Sequence, residues 1–240
     1  MTKEGKVYLV GAGPGDVAYL TVKAYNLLGA AEVLVYDALV DVELLQLVPD
    51  DCLQLNVGKR GGKPSTPQAE INKLLVNHCQ QGKQVIRLKS GDPFIFGRCT
   101  PEIEALKASG CQFEVVPGIT SALAAPLLAG IPLTDVVLSR CFAVLTGHDP
   151  EALDWEALSR IDTLVILMGG QHLIEIVHHL HQRGRSLLTP IAIVQRSGTP
   201  RQQIWVGELG NIVEITAGVS LSPAVIIIGE VVGLRKYLGT

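Results

Sequence analysis

A chain of 240 residues holds one large domain or two modest ones, and 48% hydrophobic against 18% charged residues gives it material for a packed core and excludes a disordered chain. A formal net charge of −3, with the basic residues scattered, excludes broad electrostatic capture of nucleic acid, so an acidic ligand has to be met by local cations. Five separated cysteines without a C-x-x-C spacing read as reduced thiols in a cytoplasmic setting, Met1-Thr2-Lys3-Glu4-Gly5 lacks the features of a secretory signal, and no apolar run reaches the ~18–20 residues of a membrane span.

The first half alternates short apolar runs with amphipathic stretches, the pattern of parallel α/β structure. Residues 6–10 read as a strand and 20–28 as a helix, then 33–36 as a second strand, followed by Leu44, Leu45 and Val48 at helical spacing. Thr66-Pro67 reads as an N-cap with proline in the first helical position, opening a helix with Ile71, Leu74 and Leu75 on its inner face and Gly82 at its end. Residues 85–88 are a buried strand, Thr100-Pro101 repeats the helix start, and 113–116 is a further strand. An Ala/Leu-rich helix follows over 121–129. The boundary between an N-terminal domain, 1–117, and a C-terminal one, 118–240, is therefore placed just before it.

The second half carries apolar strands at 142–145, 163–168, 191–194, 204–207 and 224–228, with Leu173, Val177 and Leu180 marking a helix face. The runs on either side of Gly198-Thr199-Pro200 are too close for a helical crossover, which predicts a partly antiparallel second sheet.

Two motifs carry most of the chemistry. Gly11-Ala12-Gly13-Pro14-Gly15-Asp16 follows the first strand, where glycines allow unusual dihedrals and close backbone approach. It reads as a dinucleotide fingerprint or as a plain tight turn, and Pro14 and Asp16 count against the former. Lys89-Ser90-Gly91-Asp92-Pro93-Phe94-Ile95-Phe96-Gly97-Arg98 puts backbone groups and a carboxylate at the end of a parallel strand, the usual ligand edge of such a sheet, with Phe94, Ile95 and Phe96 expected to wall a pocket from water. Four histidines, His172, His178, His179 and His181, share one helix and read as solvated surface more readily than as metal ligands.

These two motifs, followed in order by VPGITSA at 116–122, AGIPLT at 129–134, TGH at 146–148, LMG at 167–169 and SPA at 222–224, resemble the uroporphyrinogen III C-methyltransferases of the tetrapyrrole methylase superfamily over essentially the whole chain. The resemblance implies two α/β domains, the first with a mainly parallel sheet and the second with a mixed one, and S-adenosylmethionine in the cleft between them. Position by position, it implies donor contacts from Pro14, Ser90, Gly91, Asp92, Ile95, Thr120, Ser121, Met168, Ser197, Gly198 and Ala224. It makes Asp37 the candidate proton acceptor and Lys59 the candidate proton donor. The substrate is an acidic tetrapyrrole, which Lys59, Arg60, Lys63 and Arg98 are placed to engage, with Arg98 also counted among the catalytic candidates. No metal is needed, because a sulfonium carbon is electrophilic by nature. Neither nucleic acid nor membrane is an expected partner, and the family's homodimeric state and cytoplasmic location carry over.

The sequence departs from the family pattern in places. Gly97-Arg98-Cys99-Thr100-Pro101-Glu102 stands where members read GRGGEE, so a substrate contact by the first glutamate is lost, with Glu102 expected to replace it. Asp135 stands where a histidine is usual, and Ser197 where a glycine is. No appended dehydrogenase–ferrochelatase segment is present, so later steps are expected on other chains. A later precorrin methylase, a noncatalytic tetrapyrrole binder and a nicotinamide dehydrogenase remain alternatives.

Overall fold

Strands whose residues are buried on both faces need covering on both faces, and helical crossovers supply it. The computed structural model describes residues 4–58 and 66–238, and the chain divides into two compact units, Met1–Thr120 and Ser121–Thr240.

The first unit contains strands β1 (Lys6–Gly11), β2 (Val33–Tyr36), β3 (Leu53–Asn56), β4 (Gln84–Lys89) and β5 (Gln112–Val116) and helices α1 (Val22–Leu28), α2 (Gln68–Gln80) and α3 (Thr100–Ala108). The sheet is parallel throughout, in the order β3-β2-β4-β1-β5. Alternation along β1 and β4 divides the core. Val10, Ile86 and Leu88 pack with Leu28 and Leu44 on one face, while Val7, Leu9 and Val85 pack with Leu75 and Leu106 on the other. Arg87 and Lys89 share the parity of Val85 and so point toward α2 and α3. Because every strand runs the same way, the loops after β1, β4 and β5 emerge at one edge, from adjacent strands.

The second unit opens with helix α4 (Ser121–Leu128) and continues with strands β6 (Phe142–Thr146), β7 (Thr163–Leu167), β8 (Pro190–Gln195), β9 (Gln203–Glu208) and β10 (Ala224–Ile228). Among the described residues it also contains helices α5 (Trp155–Leu158), α6 (Leu173–Gln182), α7 (Ile212–Ile215) and α8 (Arg235–Leu238). Its sheet order is β6-β7-β10-β8-β9 and it is mixed, as the short connection at 198–200 predicts. β6 and β7 are parallel, and β10 is antiparallel to both β7 and β8, as β9 is to β8.

Several element bounds differ from the expected ones for local reasons. The helix expected over 20–28 begins at Val22, because Thr21 caps it by accepting a hydrogen bond from the Ala24 N–H at 3.1 Å. The helical spacing at Leu44–Val48 yields only a short 3₁₀ stretch, Val42–Gln46, before Pro49. Pro67 is itself the N-cap of α2, with ψ at 142°, and its carbonyl accepts from Ile71 N at 3.2 Å, so the helix starts one residue later than Thr66-Pro67 suggested. Strand β3 was not among the expected runs. It is a short edge strand, and Leu53 is 47% exposed, so it lacks the apolar signature of the central strands.

Candidate functional site

At the carboxyl edge of the first sheet, three loops are drawn together by backbone contact. A β-carbon on Gly118 would lie 2.3 Å from the Gly91 carbonyl oxygen, and one on Gly11 would lie 2.5 Å from Gly118 N, so no side chain fits at either position. Gly13 and Gly91 exchange N–H···O bonds of 3.2 and 3.0 Å, which ties the loop after β1 to the loop after β4. Asp92 completes the junction. Its Oδ1 accepts from Phe94 N at 2.8 Å and its Oδ2 from Gly118 N at 3.1 Å, so the carboxylate clamps the β4 loop to the end of β5.

The same geometry removes the dinucleotide reading. Asp16 Oδ1 accepts from Ala18 N at 2.7 Å and caps a 3₁₀ turn, Val17–Tyr19, and α1 starts only at Val22. The helix that follows the glycine turn in the chain therefore does not start at it, and a pyrophosphate would lack the donors and dipole that a dinucleotide fold supplies there.

Other residues expected at the site fall along this edge. Pro14, Gly91 and Thr120 are half-buried, as is Ser121 at the start of α4, and Ile95 is exposed. Ser90 Oγ is buried and has no hydrogen-bond partner among the described residues. Burying a hydroxyl unpaired costs about 1–3 kcal/mol, which makes this atom a natural contact for a bound group. Phe94, Ile95 and Phe96, expected to exclude water, are 64%, 42% and 43% exposed; within this structure they form a solvent-facing apolar patch. Arg98 is exposed and adopts φ 53°. Lys59, Arg60 and Lys63 lie outside the described residues.

In the second unit, the register brings four expected stretches to one edge of the sheet. Leu167 pairs with Val225 and with Thr146, and Gln195 pairs with Ala224. Met168, Ser197, Ala224 and Gly147-His148 therefore cluster there. Ser197 Oγ is a second buried hydroxyl with no partner among the described residues. Met168 follows β7 at φ 58° with its side chain 49% exposed, and Arg196 precedes Ser197 at φ 50°. Such conformations cost about 1–3 kcal/mol at a residue bearing a side chain, and among the described residues the non-glycine cases are Phe96, Arg98, Met168 and Arg196. All four sit in or beside the stretches singled out from sequence.

Asp37 follows β2, with its side chain 33% exposed and Oδ1 2.5 Å from the Arg87 guanidinium. Arg87 Nε also donates to Glu102 at 2.9 Å, and Lys89 Nζ reaches both Glu102 oxygens at 3.0 Å. Burial lowers the proton affinity of Arg87, but the facing carboxylates of Asp37 and Glu102 raise it by more, and the guanidinium stays charged. Glu102 is 0% exposed and engaged by both cations, which overturns the expectation that it replaces the family's substrate-contacting glutamate. Sequence reasoning did not single out Arg87 as a site residue. The available signal was two cations at i and i+2 in an otherwise apolar strand, which require buried counter-ions.

The remaining departures have structural roles. Asp135 Oδ1 accepts from Leu138 N and Val137 N, each at 2.9 Å, and holds the turn that leads to Ser139; these two bonds keep its carboxyl below the ordinary range. His172 pairs with Glu175 at 2.9 Å, while His179 stacks on Trp155 at 5.4 Å and contacts Glu151. Among the described residues no group of three or more His, Cys, Asp or Glu is arranged to hold a metal ion.

Known proteins share this architecture and sequence. The family model for tetrapyrrole (corrin/porphyrin) methylases matches residues 6–213. A uroporphyrinogen-III C-methyltransferase of Synechococcus elongatus is 59% identical over 233 residues, which cover 97% of this chain and 96% of the relative. A siroheme synthase 2 of Aeromonas hydrophila is 47% identical over 98% of this chain, which spans only 50% of that longer protein. Among solved structures, a uroporphyrin-III C-methyltransferase from Thermus thermophilus complexed with S-adenyl homocysteine matches with a TM-score of 0.83 and 40% identity, covering 96% of this chain and 100% of that one. On this match of fold, motifs and sequence, the chain belongs to the tetrapyrrole (corrin/porphyrin) methylases.

Proposed function

We propose that the protein is an S-adenosylmethionine-dependent C-methyltransferase that converts uroporphyrinogen III to precorrin-2 by two successive methylations, an early step toward sirohaem and cobalamin. The observation that carries this reading is the 59% identity, over 97% of the chain, to a uroporphyrinogen-III C-methyltransferase. The site chemistry fits the donor. Ser90 in the first unit and Ser197 in the second each offer a buried hydroxyl with no partner among the described residues, and in the first unit the Gly11–Gly91–Gly118 junction presents backbone without side chains.

When bound, S-adenosylmethionine supplies an electrophilic methyl on its sulfonium, with S-adenosylhomocysteine as the product. Its contacts, by the family resemblance, are Pro14, Ser90, Gly91, Asp92, Ile95, Thr120, Ser121, Met168, Ser197, Gly198 and Ala224. The protein's share of the work is to orient an electron-rich pyrrole carbon toward that methyl, exclude water and manage one proton. Asp37 accepts the proton that the alkylated pyrrole must lose, and Lys59 is the candidate donor. Lys59, Arg60 and Arg98 bind the substrate's carboxylates, the arginines by paired hydrogen bonds. Resemblance to the family also supports a cytoplasmic location and a homodimeric state, the latter tested by light scattering of the purified protein.

Incubation with methyl-labelled donor and uroporphyrinogen III decides the matter. The expected product carries two added methyl groups by mass. A product formed only from a later precorrin would reassign the substrate, and donor binding without transfer would make the protein a noncatalytic binder. Thermal shift with S-adenosylhomocysteine against NADH removes the dehydrogenase alternative, since only a bound ligand raises the melting temperature.

A further inference from the structure

The geometry points to a role for Arg87 that rests on the proton-accepting role proposed for Asp37: Arg87 is a positioning residue, anchored by Glu102 and Lys89, that fixes one oxygen of Asp37 and leaves the other to take the substrate's proton. The four groups form a chain running from the interior to the surface. Lys89 and Arg87 side chains are each 3% exposed and Glu102 is 0% exposed, whereas Asp37 is 33% exposed, so only the last member of the chain is reachable by a ligand.

All three nitrogens of the guanidinium are engaged. Nε bonds to Glu102 at 2.9 Å, one terminal nitrogen lies 3.3 and 3.5 Å from the carbonyls of Leu88 and Val35, and the other holds Asp37 Oδ1 at 2.5 Å. A planar fork tied at three points cannot rotate, and a lysine in its place would hold Asp37 through a single flexible ammonium. Asp37 is fixed from its backbone as well, its N–H donating to Leu88 O at 3.3 Å. Oδ2 of Asp37 takes no hydrogen bond from the described residues, so among them one carboxylate oxygen is tethered and the other is not. Charge is balanced in this arrangement, two cations against two carboxylates, which removes the penalty of an isolated buried ion.

A residue that acts through Asp37 has no effect once the carboxylate is gone, and a double-mutant cycle in kcat reads this directly. The variants are Arg87→Lys, which keeps the charge Glu102 requires, Asp37→Asn, and the pair together, each confirmed folded by circular dichroism. Loss of a positioned general base costs about 100-fold or more in kcat. Asp37→Asn is expected to show that loss, and Arg87→Lys about a tenfold loss, with the tetrapyrrole KM and S-adenosylhomocysteine affinity within about twofold of the parent. The double variant should match Asp37→Asn alone.

Multiplicative losses in the double variant, or an unchanged kcat in Arg87→Lys, overturn the inference. If Arg87→Lys does not fold, the same cycle with Glu102→Asp, which slackens the anchor while keeping its charge, makes the same distinction. The reading on which this rests fails differently. An inactive parent refutes the methyltransferase assignment, and a fully active Asp37→Asn refutes the role of Asp37; either takes the positioning role with it. Only the cycle separates Arg87 from a merely structural residue.

Discussion

Replacing Gly118 with alanine tests the junction on which the first unit's candidate site is built. The added β-carbon would stand 2.3 Å from the Gly91 carbonyl oxygen and 2.7 Å from both the carbonyl carbon and the α-carbon of Gly11, all of them backbone atoms that cannot rotate away. Relief to ordinary van der Waals separation needs a shift of about 1 Å in at least one of three strand ends, and overpacking of this kind costs about 1–3 kcal/mol. The same shift stretches the 3.1 Å bond from Gly118 N to Asp92, worth about 1 kcal/mol more. We expect Gly118→Ala to lower unfolding stability by about 3 kcal/mol in urea, with the denaturant slope unchanged, and to weaken S-adenosylhomocysteine binding measured by calorimetry. Gly233→Ala is the matched control. A β-carbon there meets nothing within 4 Å and the backbone is not at positive φ, so alanine should be neutral or stabilising by about 0.5 kcal/mol. Stability of Gly118→Ala within about 0.5 kcal/mol of the parent, together with unaltered affinity, would refute the close-approach argument.

Glu102→Gln leaves Arg87 facing only Asp37 and Lys89 facing no carboxylate among the described residues; a loss of about 3–5 kcal/mol in urea unfolding is expected, and less than about 1 kcal/mol would show that the two buried cations do not depend on this carboxylate. Native-state alkylation followed by mass spectrometry should modify exposed Cys141 first, because burial pushes the Cys79 thiol up to about 12 and the Cys99 thiol up to about 11; reaction of Cys79 at the rate of Cys141 would contradict this. Glu114 is held below the ordinary carboxylate range by hydrogen bonds from Lys23 and Lys6, and Lys6 is held above its ordinary value chiefly by Glu114. The depressed carboxylate contributes stability above its unfolded value, lost as pH falls through the folded one, and the raised ammonium contributes stability below its unfolded value, lost as pH rises through the folded one. Glu114→Gln should therefore flatten both the acid and the alkaline limb of stability against pH, by under about 1 kcal/mol because the groups are partly exposed, and an unaltered profile would show that the pairs contribute nothing.

Central strands were legible because burial on both faces writes them as apolar runs, and the turn at 198–200 was enough to predict antiparallel pairing in the second sheet. Strand β3 was not, since an edge strand with Leu53 half in solvent has no such run. Helix starts were recognised by residue type, yet the first bonded turn was set by geometry: at Pro67 an extended ψ makes the proline the cap, whereas at 100–101 the proline lies inside the first turn, where a missing N–H costs nothing. The site motifs were visible as motifs. What they do was less so, because Asp16 and Asp92 act on backbone N–H groups and Asp135 holds a turn, and such bonds depend on where the chain returns in space.

Glu102 shows how the local fold accommodates the departure at 99–101. Cys99-Thr100-Pro101 opens α3, and the next residue, Glu102, lies where the helix faces β4, opposite Arg87 and Lys89. A change there that removed this carboxylate would leave Lys89 without a carboxylate among the described residues and Arg87 with Asp37 alone, at a cost of about 3–5 kcal/mol against a typical domain stability of roughly 10. A change one residue earlier, at Pro101, meets no such demand, because that position lies in a first helical turn whose N–H needs no partner and its side chain is exposed. The buried network thus constrains Glu102 tightly and Pro101 hardly at all. Substitution in this motif falls where the charges of the interior allow it.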